Sequence, residues 1–95
     1  MSIKVVILRR GPPEKIAQLK PFLLRLRSLA IEQPGYVSGE TFANVYNSGE
    51  YLVMSTWASI QEWENWLMHP SRAVLQAEID ELLGEPTVYQ VFQHA

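Results

Sequence analysis

The chain has 95 residues, 47% of them apolar and 19% charged, with a formal net charge of −2. That length suits one domain, residues 1–95, with a core of its own, and is too short for two. The absence of cysteine excludes disulfides, thiolate metal sites and cysteine nucleophiles, and the negative charge argues against nucleic acid as a partner.

Ile3 to Leu8 reads as a strand, because Val5, Val6, Ile7 and Leu8 are apolar without a break and such strands are usually covered on both faces. Met1-Ser2-Ile3-Lys4 leads straight into it with no leader-like stretch. Nowhere does the chain approach the roughly 18 apolar residues that span a bilayer, so a cytoplasmic protein without a membrane partner is expected. Gly11-Pro12-Pro13 forces a turn. Ile16, Leu19, Leu23, Leu26 and Ala30 then recur at helical spacing. Pro21 falls inside this stripe. Either it kinks one helix or it opens a second, and the unbroken phase of the stripe favours the kink.

Gln33-Pro34-Gly35 ends the helical region. Tyr36 to Tyr46 is rich in aromatic and β-branched residues, Asn47-Ser48-Gly49 has turn chemistry, and Glu50 to Trp57 returns, so residues 36–57 form a hairpin. Ser59 and Glu62 fit a capping box for a helix running to about Met68. After His69-Pro70 a second helix is expected over 71–83, burying Leu75, Ile79, Leu82 and Leu83. Gly84 caps it, Pro86 prevents its continuation, and Thr87 to Gln93 is a last strand.

The order β-α-β-β-α-β predicts an α+β, ferredoxin-like fold with a four-stranded antiparallel sheet and its helices on one face. The strands carry bulky apolar residues on both faces, yet the helices can cover only one. Monomers rarely expose an apolar patch of that size, so a homodimer through the open sheet face is expected. Charge is also unevenly spread. Residues 1–30 hold seven of the eight basic residues and one acid, while residues 31–95 hold Arg72 and nine acids. Because the basic residues are interrupted by apolar ones at helical spacing, two neighbouring helices of opposite charge explain this better than a basic patch for an acidic partner.

The chain resembles the antibiotic biosynthesis monooxygenase family of small dimeric α/β-barrel proteins. The resemblance rests on the element order, on Gln33-Pro34-Gly35-Tyr36, on the strand from Tyr51 to Trp57, and on Ser59 to Leu67 with Trp63 and Trp66, followed by His69-Pro70. It implies oxidation of a small aromatic or quinol-type compound without a metal or flavin of the protein's own. A non-catalytic binding or stress-associated dimer of the same fold is the alternative. In the haem-degrading branch of the family, Trp66 would match a pocket tryptophan. That branch also uses an asparagine on the first strand and a histidine after the tryptophan, and here those positions hold Val5 and Gln76. Haem degradation is therefore not expected.

For a cofactor-independent oxygenation the substrate must become an electron-rich anion. The site then needs a base, polar groups that steady the charge, and little water. Trp66 is the favoured wall for a flat ligand, though it equally suits a core aromatic, and Trp63 lies one turn earlier on the same side. Asn44, Tyr46 and Tyr51 are the polar residues expected beside the ligand. His69 is the candidate base, with a capping role as its alternative. Arg72 would pair with a phenolate unless it simply sits in solvent at the start of its helix. The two histidines, His69 and His94, do not make a metal site, and no phosphate-binding or dinucleotide-binding glycine pattern occurs.

Overall fold

The computed structural model describes all residues, 1–95. Its elements run β1 (Ile3–Arg10), α1 (Pro13–Ile16), α2 (Lys20–Ala30), β2 (Tyr36–Ala43), β3 (Glu50–Trp57), α3 (Ile60–Leu67), α4 (Pro70–Leu83) and β4 (Val88–Gln93). The four strands form one sheet in the order β2-β3-β1-β4, antiparallel throughout. This is the expected ferredoxin-like α+β fold.

Strand parity decides what faces the helices. On β1, Ile3, Val5, Ile7 and Arg9 are buried, and they stand opposite Trp57, Ser55, Val53 and Tyr51 of β3. The core combines this face with Ile16 and Leu19 of the α1 region, Leu26 and Ala30 of α2, Trp63 and Trp66 of α3, and Leu75, Ile79 and Leu83 of α4.

The other face of the sheet is uncovered. Leu8 lies between Leu52 of β3 and Val88 of β4 in the ladder, and Val6 pairs with Met54. Phe42, Met54 and Phe92 are 43%, 42% and 52% exposed there. Glu50 stands at one end of this face. Hydrogen bonds from Arg10 Nε (2.6 Å) and Asn44 Nδ2 (3.0 Å) hold its carboxyl below the usual carboxylate range.

Pro21 does not kink a continuous helix. α1 ends at Ile16 and α2 begins at Lys20, with Pro21 in its first turn. A proline has no N–H to give to the preceding turn, and in a first turn none is needed. The apolar stripe stays in phase because a tight turn over 17–19, closed by Leu19 N–H to Ile16 O (3.1 Å), keeps the same side inward. β2 also ends earlier than expected, at Ala43. The Asn44 side chain accepts from Tyr46 N–H at 2.8 Å, an Asx turn that takes the chain out of the sheet. α2 and α4 pack on each other, as the uneven charge suggested, but no ion pair joins them; the single salt bridge is Arg10–Glu50.

Ser59 caps α3 by accepting from Glu62 N–H (3.2 Å) and donating its hydroxyl to Glu62 Oε1 (3.0 Å). Gly35 meets this cap. Its φ is +86°, and a Cβ there would lie 2.6 Å from Glu62 Cβ. Gly35→Ala therefore adds backbone strain of about 1–3 kcal/mol to a side-chain clash. The thermal midpoint should fall by roughly 4–8 °C per kcal/mol, which calorimetry would read directly.

Candidate active site

A cavity of about 70 Å³ opens between the helix-facing side of the sheet and helices α2 and α3. All three tryptophans of the chain line it. Trp57 is their hub. It ends β3, points into the core and is 1% exposed. Its ring is near-parallel to Trp66 (22°, centroids 6.4 Å apart), tilted against Trp63 (5.9 Å) and edge-on to Tyr36 (5.4 Å). Its indole N–H donates to Ser55 Oγ at 3.3 Å. Trp63 and Trp66 come from one face of α3, three residues apart, so a single capped helix sets both.

Three arginines line the same cavity; Arg27 is exposed, and Arg9 and Arg72 are buried. Arg9 is carried inward by the parity of β1. It donates through Nη2 to Gln76 Oε1 at 2.9 Å, while its Nε has no partner. Burial pushes its guanidinium down to about 10; Tyr89 and Asp80 oppose that shift and Arg72 adds to it. Arg72 comes from the first turn of α4. It donates to Leu67 O (3.4 Å), to Gln76 Oε1 (3.5 Å) and to the Tyr89 hydroxyl. Its guanidinium carbon lies 5.1 Å from the centre of the Tyr89 ring. Gln76 therefore accepts from both arginines. Its own amide donates to Asp80 Oδ1 and Thr87 Oγ1, each at 2.8 Å.

Of the residues expected at the site, Trp63, Trp66 and Arg72 line the cavity. Arg72 is not in solvent: it is 5% exposed, with its guanidinium against the Tyr89 ring and bonded to Gln76. Asn44 bonds Glu50 on the open sheet face, and Tyr46 is 98% exposed at the hairpin tip, so neither stands beside the tryptophans. Tyr51 is half-buried on the helix-facing side, outside the lining. His69 caps α4, accepting from Ser71 N–H through Nδ1 (3.2 Å), with its ring 5.5 Å from that of Trp66 and also outside the lining. No group of three or more His, Cys, Asp or Glu side chains converges to hold a metal ion. Trp57, Tyr36 and Arg9 are the residues that sequence reasoning did not place here.

The family model for antibiotic biosynthesis monooxygenase matches residues 2–78. The chain belongs to this family. Solved structures agree on the fold. A conserved protein from Methanosarcina mazei Go1 superposes with TM-score 0.91 at 14% identity, covering 100% of this chain and 94% of its own. Rv0793 from Mycobacterium tuberculosis gives 0.87 at 17% identity, covering 100% and 96%. SnoaB, a cofactor-independent oxygenase from Streptomyces nogalater, gives 0.79 at 16% identity, covering 99% and 93%. No curated protein matches. No helix is long and apolar enough to cross a membrane.

Proposed function

We propose that this family member is a homodimeric monooxygenase that works without a cofactor on a small, single-ring phenol or quinol. The observation that carries this is the joint lining of one cavity by three indoles and two buried guanidiniums. The indoles suit a flat ring and exclude water. The guanidiniums favour the ionised form of a hydroxyl placed beside them, lowering its pKa by opposite charge. SnoaB, of the same fold, is a cofactor-independent oxygenase.

The size of the cavity restricts the substrate. A dry cavity of about 150 Å³ accommodates benzene, and here the enclosed space is about 70 Å³ with one open side. Under half of that volume is enclosed, so a single ring entering head-first would project through the open side, and a fused polycyclic ligand would need the walls to move. The chemistry balances as phenol plus O₂ giving para-quinone plus water. The phenolate passes one electron to oxygen, the two radicals join at the para carbon, and the peroxide loses water as the para C–H bond breaks. No imidazole lines the cavity, and its one carboxylate, Glu40, is exposed. The substrate's proton therefore goes to solvent as the arginines take up the oxyanion. The same observation favours a second reading, a binding module without turnover.

Oxygen uptake with para-unsubstituted phenols separates the two. Arg72→Gln should lower turnover about 100-fold, the usual scale for losing one donor to a developing oxyanion. His69→Ala should cost about 1 kcal/mol of stability through its cap and leave uptake per folded molecule unchanged. A larger fall in uptake would return His69 to the role of base. Uptake unchanged by Arg72→Gln, or no uptake with any phenol, would defeat the oxygenase reading.

A further inference from the structure

Charged side chains are almost never fully buried unless paired. Arg9 and Arg72 are 2% and 5% exposed, and neither has a carboxylate within ion-pair distance. Their acceptors are all neutral: the Gln76 amide, the Leu67 carbonyl and the Tyr89 hydroxyl. Asp80 is the nearest acid to enter the network, and it does so only through the far end of Gln76. Arg9 Nε is the one buried side-chain nitrogen or oxygen in the protein with no hydrogen-bond partner. Both arginines line the cavity, whose exposed rim is formed by Arg27, Glu40 and Thr41. A cavity with two buried cations that no carboxylate pairs, and whose one carboxylate, Glu40, stands on the exposed rim, is suited to receive negative charge.

We propose that Arg9, with Arg72, forms an oxyanion subsite at the closed end of the cavity, so that the ligand is a single-ring aromatic anion bound charge-first. The subsite rests on the oxygenase reading and deepens it, making Arg9 of β1 the residue that selects for the ligand's charge. Arg9 carries a buried charge that an anionic ligand would balance and a neutral one would not. The ring then lies toward the rim, between the Trp57 and Trp63 side and α2.

The test uses the intrinsic fluorescence of the purified protein, because every tryptophan lines this cavity. Benzoate is titrated against its neutral isostere benzamide. Pentafluorophenol, ionised at neutral pH, is titrated against phenol, which is not. At least one anion should bind about tenfold or more tighter than its neutral counterpart, the scale of a hydrogen bond to a charged group. Preference in the first pair alone assigns a carboxylate anchor, and in the second alone a bound phenolate. Arg9→Gln should abolish the preference while leaving benzamide or phenol binding in place, and Arg9→Lys should retain part of it. If Arg9→Gln does not fold, the wild type and Arg9→Lys carry the test, with thermal shift as readout. Equal binding of anion and neutral ligand, no binding of any ligand, or an undiminished preference in Arg9→Gln overturns the subsite. Failure of oxygen uptake with the anion preference intact would remove the oxygenase and leave the subsite standing. Uptake without any anion preference would do the reverse.

Discussion

Replacing Trp57 by alanine is expected to remove about 3–5 kcal/mol of folding free energy, the range for deleting a buried indole. Trp57 is 1% exposed and in ring contact with Tyr36, Trp63 and Trp66. Its loss leaves a void that borders the cavity, and Ser55 Oγ loses its indole partner. Domains of this size have only about 5–15 kcal/mol in total, so much of the population would sit near the unfolding threshold. Urea denaturation followed by circular dichroism would measure the change. Trp57→Phe, which keeps a ring in contact with Tyr36, should recover roughly half of it. A loss below about 1 kcal/mol for Trp57→Ala would mean that the aromatic cluster does not hold β3 to α3.

The second large effect concerns assembly. The proposed homodimer closes the open sheet face, and Leu8 stands at its middle, between Leu52 and Val88. A two-fold interface contains every substitution twice. Leu8→Lys would place two unpaired ammonium groups in a desolvated apolar contact, at about 2–5 kcal/mol each, which is a weakening of more than about a thousandfold in dissociation constant. Sedimentation at low micromolar concentration should give about twice 10.9 kDa for the wild type and 10.9 kDa for the variant. The variant should keep its far-ultraviolet spectrum, because Leu8 contributes nothing to the helix-facing core. A monomeric wild type would remove the dimer and leave Phe42, Met54 and Phe92 without an occupant for their face.

The fold was legible because three signals agreed: apolar, aromatic and β-branched runs in the strands, the 3–4 spacing in the helices, and turn residues at the junctions. Where a local rule and a longer pattern competed, legibility was lost. The stripe from Ile16 to Ala30 stays in phase across the break before α2, so periodicity could not separate a kink from two helices. The aromatic run from Tyr36 to Tyr46 extends the strand pattern past Ala43, but the Asn44 side chain turns the backbone away. That turn separates Asn44 and Tyr46 from the tryptophans. Trp63 and Trp66 were readable as one helix face. Arg9 was readable in principle, since it continues the buried series Ile3, Val5, Ile7; the strand was instead expected to end with the apolar run at Leu8, whereas β1 extends to Arg10. Gln76 shows the same principle from the other side. It departs from the haem-degrading pattern, and its acceptor oxygen serves the two arginines.

The most direct measurement of the central claim is the stoichiometry of oxygen consumption. The purified protein is supplied with a para-unsubstituted phenol in an oxygen electrode, the quinone is quantified, and catalase is added at the end. One O₂ consumed per quinone formed, with no oxygen returned by catalase, is the predicted result. No uptake above the protein-free rate, or the return of half the oxygen as hydrogen peroxide decomposes, would contradict a monooxygenase at this site.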